Sequence, residues 1–106
     1  MLIIPLTSKP SQTLTTTLGG QQCALNIYQK PSGLYMDVVS PAILDGGLYG
    51  VLCENLNRIV RSAYLGFAGD LVFSDLQGTE DPVFTGLGTR FILAYLSASD
   101  PVPAIN

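Results

Sequence analysis

The chain has 106 residues, 47% hydrophobic and only 12% charged, where a typical soluble domain carries about 25% charged residues; this is one domain whose largely neutral surface suits life against other proteins. Its net charge is −3 and its basic residues, Lys9, Lys30, Arg58, Arg61 and Arg90, are scattered, so the clustered cationic footprint of a nucleic-acid binder is missing. There is no histidine, which excludes Ser-His-Asp and Cys-His catalysis, and no apolar run approaches the ~18 residues of a transmembrane span.

The N-terminal Met1-Leu2-Ile3-Ile4-Pro5-Leu6 lacks a basic region and is interrupted by proline, which argues against a secretory signal. From Gln12 to Leu18, leucines and threonines alternate with the period of two that half-buries a strand, and Gly19-Gly20 follows as a tight turn. Cys23, Leu25 and Ile27 then share one strand face opposite Gln22, Ala24, Asn26 and Tyr28. Lys30-Pro31-Ser32-Gly33 reads as a turn with proline at its second position. Leu34, Met36 and Val38 alternate with Tyr35, Asp37 and Val39, so three strands joined by short turns form a meander.

Asp45-Gly46-Gly47 is a further turn signal before a strand from Leu48 to Cys53, in which Gly50 suggests a bulge or a close backbone contact. Residues Glu54 to Tyr64 carry two patterns. Leu56, Ile59, Val60 and Ala63 have helical spacing, whereas β-branched Ile59 and Val60 favour a strand over Arg58 to Ala63, the reading preferred here. Leu71-Val72-Phe73 and Arg90 to Leu96 close the fold; the latter is apolar on both faces and therefore central, or covered by a neighbouring protein. Gln77 to Gly88 is a loop. The predicted fold is all-β, a small antiparallel barrel or sandwich of about 6–8 strands with room for one short helix. Residues 1–96 form the domain and 97–106, with Pro101 and Pro103, an extended tail.

Chemistry is sparse. Asp70, Asp75, Glu80 and Asp81 are the only local concentration of carboxylates. They could serve a calcium loop or an acid/base pair, but the alternating acids around a central glycine of an EF-hand are missing, and turn-shaping is the preferred account. Gly19-Gly20 and Gly86-Leu87-Gly88 lack the flanking strand, helix and Lys-Ser/Thr of a phosphate cradle. Cys23 and Cys53 sit in apolar strand context and read as free, buried thiols, although the sequence leaves a disulfide open. No metal and no cofactor is expected.

The candidate contact residues are Arg58, Arg61, Tyr64 and Phe67. Tyr64 and Phe67 lie in a glycine-flanked stretch without strand alternation, where aromatics serve as interface anchors or plug one end of a core. The two arginines, three apart, either clamp a partner carboxylate or neutralise the acidic loop.

The run from Arg58 to Asp81, together with Ile4-Pro5-Leu6, Thr17-Leu18-Gly19-Gly20-Gln21, Gly33-Leu34-Tyr35-Met36-Asp37, Gly86-Leu87-Gly88-Thr89-Arg90-Phe91 and Tyr95-Leu96, resembles the small baseplate plug proteins of contractile-tailed bacteriophages. The resemblance spans most of the chain and rests on wording and order, not on a catalytic motif. It implies a non-enzymatic structural subunit of the virion, seated in the baseplate hub near the junction of tail tube and spike. It also implies assembly in the host bacterial cytoplasm as a homo-oligomer in symmetric copies, against hub, tail-tube and spike proteins, with no nucleic acid and no membrane as partner. The resemblance assigns no functional residues.

Two other readings compete. An oligonucleotide/oligosaccharide-fold-like binding module needs aromatics interleaved with basic residues on one sheet face, and here Tyr28, Tyr35 and Tyr49 have only Lys30 nearby. A carboxylate enzyme needs two acids about 5–10 Å apart in a cleft, and this short, charge-poor chain leaves little room for one.

Overall fold

The alternating segments pair into two antiparallel sheets in a computed structural model that describes residues 2–18, 20–41, 43, 46–57, 59–60 and 69–96. The strands are β1 (Leu2–Ile4), β2 (Ser11–Leu18), β3 (Gln21–Lys30), β4 (Gly33–Val39), β5 (Gly47–Leu52), β6 (Asp70–Asp75) and β7 (Phe91–Leu96). The four-stranded sheet runs β2-β3-β4-β5 and the three-stranded sheet β1-β7-β6. The two sheets share no ladder among the described residues, so the packing is that of a sandwich and not a closed barrel.

The meander predicted from alternation is present and gains β5 as its fourth strand. Lys30 pairs with Gly33 across the Pro31-Ser32 turn, and Leu18 with Gln21 across the glycine turn. The inner faces of both sheets meet in one core. Leu25, Ile27, Leu34, Met36 and Val38 from the four-stranded sheet meet Leu71, Phe73, Leu93 and Tyr95 from the other. Burial of these side chains is the main driving force for the fold, at about 1.5–3 kcal/mol each.

The doubly apolar strand β7 lies in the centre of its sheet, flanked by β1 and β6. Its second face forms a separate buried cluster, Val72, Ala94 and Leu96. β6 is buried at every position, polar Asp70, Ser74 and Asp75 included. Strand β1 was not among the predicted elements: three residues are too few to show a period, and only pairing with Tyr95, Ala94 and Leu93 makes them a strand.

The strand expected over Arg58 to Ala63 is described only at Ile59 and Val60; Arg58 and residues 61–64 lie outside the described residues. Among the described residues of 54–60, Ile59 and Val60 are in a bend, Leu56 turns with a positive φ of 60°, and Asn55 makes a single parallel bridge to Phe73. Leu56 N–H donates to the Phe73 carbonyl at 2.8 Å and Ile59 N–H to that of Leu71 at 2.9 Å. The segment thus covers the free edge of β6 without becoming a regular strand. Its apolar Ile59 and Val60 are drawn into the core by that position, which explains both the helix-like and the strand-like signals. A 3-10 turn lies at Phe84–Gly86, inside the loop before β7.

Candidate protein-contact face and its supports

The solvent face of the four-stranded sheet is organised in cross-strand rows. One row is Ser11, Tyr28, Tyr35 and Leu52; the next is Thr13, Asn26 and Asp37; a third is Thr15, Ala24, Val39 and Gly47. The strand period sends Leu25, Ile27, Met36 and Val38 inward and leaves these residues outside. Tyr28 and Tyr35 stack with ring centroids 6.1 Å apart. The Lys30 ammonium sits 5.6 and 5.4 Å from the two ring centres, a cation held over both aromatic faces. Tyr49, 64% exposed, folds its ring back over Gly47, and Leu52 packs against Gly33.

Asp37 ties this face together. Its Oδ1 accepts the Tyr28 hydroxyl at 2.9 Å and the Gly50 N–H at 2.8 Å, while Oδ2 accepts from the Asn26 amide at 3.4 Å. Opposite Asp37 the β4–β5 register shifts, and Gly50 adopts φ 69°, a left-handed conformation that glycine takes without a Cβ penalty. The glycine in the predicted strand therefore marks a bulge, and the carboxylate caps it. Burial and the adjoining Asp37 carboxylate push the Tyr28 phenol above its ordinary pKa.

The acidic stretch serves structure. Asp75 accepts four hydrogen bonds: Arg90 Nε and Gln77 N–H reach Oδ1, both at 2.8 Å, while Arg90 Nη2 at 2.8 Å and Glu80 N–H at 2.9 Å reach Oδ2. Arg90 also lies 3.2 Å from Glu80. The Arg90 guanidinium, with the loop amides adding to it, holds the Asp75 carboxyl well below the usual carboxylate range. Asp81 accepts the Asn55 N–H at 3.0 Å, and Asp70 accepts both Val60 N–H at 2.8 Å and Leu71 N–H at 2.7 Å. No group of three potential metal ligands occurs among the described residues. The cation that answers this acidic loop is thus Arg90, which pattern reading had assigned only to a strand. Its position at the mouth of β7, fifteen residues after Asp75, was a usable signal once the two strands were known to pair.

The predicted contact residues Arg58, Arg61, Tyr64 and Phe67 lie outside the described residues. Their flanks are described. Asp70 joins Val60 on one side of the 61–68 stretch to Leu71 on the other, and Gly69, at φ 89°, packs against the Leu96 carbonyl and the Tyr95 ring. Cys23 and Cys53 are free and buried; burial raises both thiols, that of Cys53 to about 12.

A family model described as cyanophage baseplate Pam3 plug gp18 matches residues 1–98. The chain belongs to that family. No curated protein matches it. Membership makes it a structural baseplate protein of a phage tail, in agreement with the resemblance read from its wording. The sandwich, its charge-poor outer sheet face and its internally satisfied carboxylates are the physical form this plug takes.

Proposed function

We propose that this plug is a non-enzymatic subunit of a contractile-tailed phage baseplate hub, set between tail tube and spike and present in symmetric copies. The observation that carries the reading is the family match over residues 1–98. The structure supports it through chemistry: the carboxylates that are concentrated in sequence are consumed by backbone amides and Arg90, and the outer face of the four-stranded sheet offers tyrosines, threonines and the Lys30 cation. Such a face suits packing against other proteins, where aromatics supply most of the contact energy. Assembly takes place in the host cytoplasm, and the neighbours are hub, tail-tube and spike proteins.

Arg58, Arg61, Tyr64 and Phe67 are proposed as contact residues with those neighbours. Cryo-EM of intact tails tests the placement: density for this chain at the tube–spike junction is expected, and density only at the baseplate periphery overturns it. Phe67→Ala and Arg61→Ala, made separately, test the residues. A loss of assembly on the order of 2–4 kcal/mol per contact is expected with monomer melting unchanged; a monomer unfolded by Phe67→Ala makes that residue core.

A further inference from the structure

The edges of the two sheets are treated unequally. The β6 edge is covered by Asn55, Leu56 and Ile59, the β5 edge is broken by the bulge at Gly50, and β1 is only three residues long. Strand β2 differs from all of these. It is eight residues long, has no bulge in its pairing with β3, and no described residue pairs with its outer side. It also lacks the usual deterrents of a free edge, since no charged residue occurs between Lys9 and Lys30 and no proline between Ser11 and Leu18.

The register fixes which backbone groups point outward. Gln29 N–H donates to the Pro10 carbonyl at 2.8 Å, so residues 10 and 29 form a hydrogen-bonded pair. Alternation along the ladder then makes Gln12, Leu14, Thr16 and Leu18 bond inward to β3. Ser11, Thr13, Thr15 and Thr17 present their N–H and C=O groups to the open side, and all four residues are exposed.

We infer that β2 pairs antiparallel with β2 of a second copy of this chain, about a two-fold axis at Leu14, joining two four-stranded sheets into one. The segment is self-complementary in that register. Ser11 faces Thr17 and Thr13 faces Thr15 of the other copy, giving about eight new backbone hydrogen bonds, two for each facing pair. On the outer face threonines meet threonines, a favourable cross-strand pair. On the inner face Gln12 meets Thr16, and the half-buried Leu14 meets its own copy, closing the apolar side that a single chain leaves partly open. No charge opposes another across the seam, which is what makes a second copy the fitting occupant for a chain of net charge −3. This pairing specifies one contact within the symmetric copies proposed above and rests on that reading only for its setting.

Sedimentation of the purified full chain tests it, with a species of twice the 11.3 kDa chain mass expected at micromolar concentration. Thr15→Pro removes an outward N–H and leaves the β3 ladder intact, so loss of the dimer with a native circular dichroism spectrum is expected. Leu14→Cys keeps the test decisive should the proline variant unfold: oxidation is expected to link two chains through position 14, where the two backbones approach most closely. A wild-type monomer at all concentrations, a Thr15→Pro dimer as tight as wild type, or no cross-link at position 14 overturns the pairing. A chain that is monomeric yet incorporates into tails rejects this inference alone, whereas a dimer that never enters tails rejects the baseplate placement alone.

Discussion

Arg90 meets Asp75 side-on, Nε to Oδ1 and Nη2 to Oδ2, both at 2.8 Å, with the Asp75 side chain wholly buried and the arginine 30% exposed. The pair joins the end of β6 to the start of β7 and anchors the intervening loop through the amides of Gln77 and Glu80. Such two-pronged, charge-assisted bonds are the strong ones, and removing one partner strands the other.

Asp75→Asn is accordingly expected to lower the melting temperature by at least about 10 °C, and Glu80→Gln, at an exposed site, by no more than a few degrees. The pH dependence has a definite sign. The folded-state pKa of Asp75 is depressed below its unfolded value of about 3.9, so its contribution is fully present above that value and is lost as pH falls through the folded one. Acid titration of stability by circular dichroism is expected to show a steeper loss below about pH 4 in wild type than in Asp75→Asn.

Asp37→Ala leaves the Gly50 N–H and the Tyr28 hydroxyl without their carboxylate. A loss of about 1–3 kcal/mol in urea denaturation is expected, with amide exchange at Gly50 accelerated and the inner core unaffected. Unchanged exchange at Gly50 would show that the bulge holds without its cap.

In the core, Phe73→Ala removes a fully buried ring at the centre of the inter-sheet contact and is expected to cost about 3–5 kcal/mol. Tyr49→Ala, at a largely exposed ring, is expected to cost less than about 1 kcal/mol. Chemical denaturation of both variants separates the sandwich core from its outer face.

Gly69→Ala forces a Cβ toward the Leu96 carbonyl at a φ of 89°. A destabilisation of at least about 1–3 kcal/mol is expected, read as a lower urea midpoint.

The thiols provide a test of burial. Raised pKa values, about 12 for Cys53, and exclusion from water predict that iodoacetamide at pH 8 labels neither cysteine in the folded chain and both in denaturant. Intact-mass measurement distinguishes the states. Because both thiols have folded pKa values above the unfolded one of about 8.5, their contribution to stability is intact below it and is lost as pH rises through the folded values.

Local pattern was enough for the first three strands of the four-stranded sheet. Between Ser11 and Val39 each strand carries its own period of two, and each turn its own glycine or proline, so pairing partners are neighbours in the chain and register follows from short loops; β5, whose register shifts opposite Asp37, joined them only in the folded sheet. The doubly apolar face of β7 likewise announced a central strand, because alternation is lost when both sides are buried. The family, too, was legible in the order of residues along most of the chain.

Tertiary structure alone decided what depends on distant partners. Leu2–Ile4 became a strand only by meeting Tyr95 to Leu93, about ninety residues away, and Asn55, Leu56 and Ile59 an edge cover only by lying along β6. The acids of the 70–81 stretch looked interchangeable in sequence; position made Asp75 the buried acceptor of Arg90, Asp70 a backbone brace and Asp81 the partner of Asn55. Asp37 became the cap of a bulge on the next strand in the same way. A side-chain period records which face a residue buries, because burial is a property of its own segment. A carboxylate's role is set by which amide or guanidinium faces it across strands, and that pairing exists only once the strands have come together in register.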